Sequence, residues 1–426
     1  MTGTNASRAR IGILVMMTIA TMINYLDRTV LSVATPALRS ELHIDAATMG
    51  FVLSAFSWTY AAAQIPGGVF LDRVGVRLTY SLSLILWSLF TMFQGLTTGL
   101  FSLFGLRLAL GVAEAPCYPC NSRILSSWFP QSERARANSV YCVGQYLGLG
   151  LMSWLLYWIT ASMGWRALFF IVGAIGVVFG VAMWKRYRDP GEDGRANAAE
   201  LEYIKAGGGL SFSGVKTAFS WSHIGFLLRQ RQMVGAALGQ FCGNATLVFF
   251  LTWFPSYLAT ERHMAWIKAG FYASLPFIGA SVGVLFGGQL SDWLLQRTGS
   301  ANLGRKLPVV AGLLLASSIV SANYVASDAL VIAIMSVAFF GQGMCNLGWT
   351  LLTDIAPRKL FGLSGGLFNL SANLAGIVTP IVVGQIVQRT GSFKAALAFV
   401  ATLAAIGVLS YLLIIGDVKR VQYDEG

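Results

Sequence analysis

The sequence predicts an all-α membrane protein, with twelve transmembrane helices in two six-helix halves. Three observations predict it. Hydrophobic residues make up 55% of the 426 residues and charged residues 11%, whereas an ordinary soluble domain carries roughly 25% charge. Too few charges remain to cover a water-facing surface. Apolar stretches of about 20 residues, enough to cross a bilayer, recur along the whole chain. A charged loop pattern that follows the second stretch returns after the eighth.

The stretches fall at 11–36, 48–71, 77–98, 101–122, 138–160 and 165–184, and then at 233–258, 268–290, 307–325, 328–352, 362–386 and 394–415. The first continues past Pro36, too long for the apolar core of a cleaved signal peptide. The chain therefore divides into a half at 1–184, a polar linker at 185–232 and a second half at 233–426. The linker opens on Lys185-Arg-Tyr-Arg-Asp-Pro190 and has room for one short helix at Ala198–Lys205.

Orientation follows from the basic residues. Of 30 Lys and Arg, 22 fall in the two tails, the linker and the loops on the linker side. Six (Arg39, Arg166, Arg262, Lys268, Arg389 and Lys394) fall in the opposite loops, and two lie within spans. Positive charge stays on the cytoplasmic side, so both termini and the linker are expected there. This asymmetry accounts for the net charge of +12 without nucleic acid or any acidic partner.

Enzyme chemistry finds little support. The five cysteines, Cys117, Cys120, Cys142, Cys242 and Cys345, are scattered through apolar stretches and read as small packing residues. Cys117-Tyr-Pro-Cys120 has CxxC spacing but no second pair, so neither a metal nor a redox site is expected. His43, His223 and His263 fall in predicted loops without paired spacing. No cofactor is implied, and without a P-loop this chain would not use ATP to drive transport.

The repeated pattern is Gly68-Val-Phe-Leu-Asp72-Arg73-Val-Gly75-Val-Arg77 after the second span and Gly288-Gln-Leu-Ser-Asp292-Trp after the eighth, with Arg305-Lys306 further on. Two parallel six-helix halves are a transporter plan with the substrate site at the midplane between them. Asp72, Arg73, Arg77 and Asp292 are candidates for a conformational latch, able to bridge neighbouring helices and hold one state shut. Asp354 also reads as an ionic latch.

In the Gly68–Arg77 loop the sequence resembles the major facilitator superfamily. Asn24-Tyr-Leu-Asp27-Arg28, Leu106-Arg107-Leu-Ala-Leu-Gly-Val-Ala-Glu114-Ala-Pro, Ser54-Ala-Phe-Ser-Trp58-Thr-Tyr60, Asn121-Ser-Arg123, Trp253-Phe-Pro and Gly362-Leu-Ser-Gly-Gly-Leu-Phe-Asn369 make it similar to that superfamily's anion:cation symporter family. The similarity covers nearly the whole chain and is strongest to bacterial D-glucarate/galactarate transporters. It implies an inner-membrane, monomeric, proton-coupled importer of sugar acids. It implies substrate contacts at Tyr25, Arg28, Tyr60, Arg107, Gln145, Trp349 and Asn369, and protonation at Asp27 and Glu114. Leu26, Cys142 and Asn346 depart from that group's pattern near the expected cavity.

The residues themselves lead to the same roles. Asp27, Arg28, Arg107 and Glu114 sit well inside spans, where a charge costs about 2.5–3.5 kcal/mol on insertion scales. Adjacent Asp27 and Arg28 point about 100° apart on a helix, so each needs its own partner from another helix. Arg107 and Glu114, seven residues apart, share one helix face two turns apart. Arginine offers a planar fork that matches a carboxylate, so Arg28 and Arg107 are candidate substrate ligands. Tyr25, Tyr60, Gln145, Gln240, Asn369 and Asn373 can serve sugar hydroxyls, and Trp349 can pack on the carbon chain. Asp27 and Glu114 are candidate proton carriers, with a permanent structural ion pair as the alternative.

The expectation is a proton-coupled symporter of a sugar acid, glucarate or galactarate first, working by alternating access. Galactonate, a hexuronate or another organic anion is the alternative within that class. A non-transporting membrane receptor and a membrane-embedded enzyme are the alternatives from other classes.

Overall fold

The computed structural model describes residues 6–209, 221–357 and 360–423. Arg358 and Lys359, counted above on the linker side, lie outside them. The described residues form helices and connecting turns. The first half is built from α1 (Ala9–Leu42), α2 (Ala46–Gln94), α3 (Leu100–Glu114), α4 (Cys117–Trp128) and α5 (Gln131–Arg186). The linker carries α6 (Ala198–Ala206) and α7 (Trp221–Arg229). The second half contains α8 (Arg231–Thr252), the single turn α9 (Phe254–Ser256), α10 (Trp266–Thr298), α11 (Leu307–Ser317), α12 (Asp328–Met344), α13 (Leu347–Ile355), α14 (Phe361–Thr390) and α15 (Lys394–Leu409).

Among the described residues, ten helical stretches are long and apolar enough to cross a membrane. Two of them, Ala46–Gln94 and Arg136–Arg186, hold 49 and 51 residues. At 1.5 Å per residue each is more than twice the length that a bilayer core of about 30 Å needs, so each holds two spans and the expected twelve are present. The loops expected between spans 2 and 3 and between spans 5 and 6 are much reduced. The backbone leaves helical values only at Gly75 (φ 80°) and Gly164 (φ 82°), a conformation open to glycine because it has no Cβ.

The linker differs from its expectation in one respect. α6 matches the expected helix, but α7 is a second helix, and it places His223 in a helix rather than a loop, against the edge of Tyr423. α6 is docked on the first half. Glu200, fully buried, accepts from the backbone N–H of Ala9 and Arg10 at 3.0 and 3.2 Å and from Arg10 Nη1 at 3.0 Å. Its carboxylate thus satisfies donors that the start of α1 leaves open.

Three clusters of buried side chains form the core. One, around Leu38, Val52, Phe169, Trp253, Phe277 and Phe339, is shared by both halves. The other two each belong to one half: Trp87, Trp128 and Tyr187 in the first, Leu313, Phe368 and Tyr411 in the second. The single-half clusters lie toward the linker and the shared one at the opposite, far end. At the far end Ser32 Oγ donates to the Thr252 carbonyl at 2.6 Å and Ala46 N donates to Gln388 Oε1 at 3.0 Å, both across the halves. Among the described residues, no ion pair joins one half to the other.

Candidate functional site

Two helices change course at matching places in the two halves. The fourth span runs from α3 into α4 across Ala115–Pro116, where proline lacks the N–H that would continue the ladder. The tenth runs from α12 into α13 across Cys345–Asn346, where Cys345 N, Asn346 N, Gly348 N and Trp349 N bond to carbonyls three residues back. That is a tightening of 3₁₀ type. Interrupted helices at corresponding positions of two repeats mark a transporter's binding region. The first break ends on Glu114, and the second carries Asn346 and, one turn on, Trp349.

The intramembrane charges gather beside the first break. Arg28 bonds Glu114 Oε1 through Nε at 2.7 Å and also through Nη2. Glu114 is fully buried, and Arg28 retains a partly exposed edge. The Arg28 guanidinium lies among the rings of Tyr25, Phe56 and Tyr60, 4.7–5.1 Å from their centres. Arg107, 3% exposed, lies over the same Phe56 ring at 5.5 Å. Its Nε and Nη1 have no hydrogen-bond partner. Phe56 therefore floors both cations, which are no further apart than the sum of their distances to it.

Asp27 is separate from this pair. It is 1% exposed, and its Oδ2 accepts from the Trp87 indole N–H at 2.8 Å. Oδ1 has no partner. The two adjacent residues are thus served by different helices, Asp27 by the second limb of α2 and Arg28 by α3.

Polar groups of the first half lie beside the charges. Tyr25 and Tyr118 share a hydroxyl–hydroxyl bond of 3.0 Å, and Tyr118 donates to Gln145 Oε1 at 3.5 Å. Tyr60 stacks on Phe56 at 5.1 Å. From the second half, Trp349 is 40% exposed, the most open of the candidate substrate contacts, and meets Phe368 edge-on at 4.8 Å. Asn369 and Asn373 are half-buried on α14, and Asn373 Nδ2 donates to the Asn369 carbonyl at 2.9 Å, so one of its donors is occupied. Gln240 on α8 borders Gly348. A further bond crosses the halves nearby, Tyr146 O–H to Gln342 Oε1 at 3.3 Å.

The latch candidates pair within their own halves in this conformation. Asp72 accepts from Arg123 at 2.8 Å. Arg77 donates to the Trp184 carbonyl at 2.9 Å and lies over that indole at 4.5 Å. Arg305 reaches Asp292 at 3.5 Å and Asp354 at 3.0 Å. Arg73 stands beside Asp72 on α2.

Residues 17–380 match the Major Facilitator Superfamily. The chain belongs to that superfamily. Its similarity to individual members runs the full length. It is 45% identical to the probable galactarate/D-glucarate transporter GudP of Escherichia coli (strain K12), covering 98% of this chain and 95% of that one. It is 44% identical to the D-galactonate transporter of Escherichia coli O6:H1, covering 97% of each. It is 29% identical to the hexuronate transporter of Bacillus subtilis (strain 168), covering 95% and 94%. Among solved structures, a bacterial homologue of the human lysosomal transporter Spinster matches with a TM-score of 0.76 at 18% identity, covering 97% of this chain and 98% of that one. Fold and relatives alike are those of membrane transporters.

Several residues around the candidate site were not legible in the sequence. Phe56, Trp87 and Tyr118 are ordinary apolar-span residues until the fold places them against Arg28, Asp27 and Gln145. Trp87 is 60 positions from its partner, and no spacing rule connects them.

Proposed function

We propose that the chain is a proton-coupled symporter that imports a sugar acid, D-glucarate or galactarate first, by alternating access between its two halves. One observation carries the reading. Arg28 is held by Glu114, while Arg107, beside it on Phe56, keeps two N–H groups without partners. A proton on Glu114 removes the counter-charge and frees the Arg28 fork. The site then presents two planar cations to a dianionic substrate, which suits an aldarate with a carboxylate at each end. When Glu114 loses the proton it competes for Arg28 and the substrate leaves. Proton and substrate are thereby linked through a single guanidinium.

In this reading Tyr25, Tyr60, Gln145, Gln240, Asn369 and Asn373 meet the hydroxyls, and Trp349 covers the carbon chain. Asp27 and Glu114 carry protons. Asp72, Arg73, Arg77 and Asp292 are the latch that closes the linker end in the opposite state. The three-part division at 184 and 232 separates two rigid halves from a tether. Both termini and the linker lie on the cytoplasmic side of a bacterial inner membrane, which the distribution of the 30 basic residues supports. The cross-half contacts at the far end then make the described conformation inward-facing. The protein works as a monomer.

Relatives named for galactarate and D-glucarate and for D-galactonate are nearly equal in identity, so galactonate is the second substrate on this reading. Counterflow in proteoliposomes tests it. Vesicles loaded with unlabelled glucarate should accumulate labelled glucarate without any gradient of pH or potential. Counterflow with galactonate or a hexuronate and none with either aldarate would replace the substrate. No counterflow with any organic acid would replace the transporter reading by a receptor.

A further inference from the structure

We propose that Trp87 is a positioning residue for proton release. It donates its indole N–H to Asp27 Oδ2 and sets the pH at which Asp27 gives up its proton. The inference rests on the reading of Asp27 as a proton carrier. The geometry is specific. Trp87 is fully buried and Asp27 1% exposed, and the indole N–H meets Oδ2 at 2.8 Å. Asp27 Oδ1 has no partner. Thr91, one turn on from Trp87, is a second and weaker neutral donor toward the same carboxyl.

The charged neighbours do not take over this role. Glu114 and Arg107, both on α3, act on Asp27 only through space. Arg28, next in sequence, is bound to Glu114. The carboxyl therefore has no ion-pair partner, and an ionised Asp27 depends on a neutral donor. Trp87 is suited to this. Indole is donor only, so it stabilises the anion and offers nothing to the acid's own O–H. It thus favours release over retention. The second limb of α2 that carries it is fixed by close contacts with the second limb of α5, where a Cβ on Gly176 or Gly180 would meet Ser88 or Ile85 within 2.6 Å. The donor is thus held by the scaffold of the first half, away from the substrate groups.

Trp87→Phe keeps the ring and removes the N–H. Ionised Asp27 loses its stronger donor, the proton is held more tightly, and release needs a more alkaline cytoplasmic side. A hydrogen bond to a charged group is worth about one to two pH units, so the pH profile of concentrative uptake should move alkaline by about that much. Binding of substrate, read as substrate-induced thermal stabilisation, should stay within a factor of two. In an Asp27→Asn background the same substitution should change exchange no further. A Trp87→Phe profile superimposed on wild type, with Asp27→Asn unable to concentrate substrate, overturns the role of Trp87. Full concentrative uptake by Asp27→Asn instead overturns the reading beneath it. Should Trp87→Phe give no cooperative melting transition, Trp87→Tyr, which keeps the aromatic bulk but moves the donor, is measured in the same way. Its profile must also shift, and an unshifted one overturns the role.

Discussion

Arg28 and Glu114 are partners across α1 and α3, while Arg107, on the same helix as Glu114 and floored by the same phenylalanine as Arg28, has two N–H groups that bond nothing. Two arginines of identical chemistry thus stand in different electrostatic states within one site. Glu114 lies on the helix of Arg107 and yet neutralises Arg28. Seven residues set Arg107 and Glu114 about 10 Å apart along α3, whereas α1 crosses beside the helix end where Glu114 sits. On the proposed function, Arg107 is the standing receptor for a carboxylate and Arg28 the conditional one.

Arg107→Lys should weaken substrate binding by roughly ten- to hundredfold. A charged hydrogen bond is worth about 1.5–3 kcal/mol, and an ammonium is a point charge without the planar fork. Isothermal titration of the purified protein measures it. Affinity equal to wild type would remove Arg107 from the site. Arg28→Lys should show a similar loss.

Glu114→Gln fixes a neutral side chain beside Arg28. The fork stays available to substrate, so binding and exchange should persist while uphill uptake driven by a pH gradient is lost. Labelled uptake into vesicles with an imposed gradient, paired with counterflow, separates the two. Accumulation at the wild-type level would show that Glu114 is not an obligatory carrier.

The twelve spans and two halves were legible because the bilayer imposes length and hydropathy on every crossing. The places where the reading failed are places where tertiary contact decides. Nothing in the composition around Gly75 and Gly164 distinguishes one left-handed glycine from a short loop, and α7 could not be told from the polar linker around it. Asp27, Arg28, Arg107 and Glu114 stood out as charges in apolar spans. Which acid meets which base did not, because pairing depends on how α1 crosses α3. Asn373 read as a free amide, yet a local bond to the Asn369 carbonyl occupies one of its donors, a contact that any asparagine four residues on can make.

The proposed pair of proton carriers, Asp27 and Glu114, sets a charge balance. Each elementary charge moved against the membrane potential costs about 2.3 kcal/mol per 100 mV. One proton leaves a dianion with net charge −1, opposed by the potential, and two make the step neutral. Transport of an aldarate dianion should therefore be close to electroneutral and driven chiefly by the pH gradient. A monovalent aldonate carried at the same ratio should give inward positive current. Solid-supported-membrane electrophysiology with both substrates checks this. Large inward current with the dianion would mean a third carrier.

The linker dock should loosen at acid pH. Glu133, at the start of α5, accepts from Arg10 at 3.0 Å and from Tyr203 of α6 at 2.9 Å. Burial pushes its carboxyl up, but those hydrogen bonds outweigh it and hold it below the ordinary glutamate value. A depressed folded value means that the stabilisation is present above the unfolded value of about 4.3 and is lost as pH falls through the folded one. The protection factors of Ala198–Ala206 should fall as the pH drops below that ordinary glutamate value. Glu133→Gln should show faster exchange already at neutral pH and a flatter pH dependence. Equal protection in both proteins at pH 7 would rule out Glu133 as the anchor.

The far end is closed by a crossing that only glycine allows. Gly50 on α2 meets α14 so closely that a Cβ there would lie 2.5 Å from the Pro380 carbonyl oxygen, and one on Gly384 would lie 2.6 Å from that of Ala46. The Pro380 carbonyl cannot simply yield, because it accepts the Trp253 indole N–H at 3.1 Å, and Ala46 is tied to Gln388 one turn beyond Gly384. Gly50→Ala must therefore part the two helices at the far end. The contact joins the halves in this conformation and should be absent when the far end opens, so the substitution costs the closed state and spares the open one. Overpacking of this kind costs about 1–3 kcal/mol, roughly a ten- to hundredfold shift in the ratio of the two states. Gly288→Ala, where an added Cβ meets nothing within 4 Å, is the control. Double electron–electron resonance between spin labels placed on Thr48 and Arg389, at the far ends of α2 and α14, should show a longer distance in Gly50→Ala than in the control. Superimposable distributions would mean that the crossing yields without parting the halves.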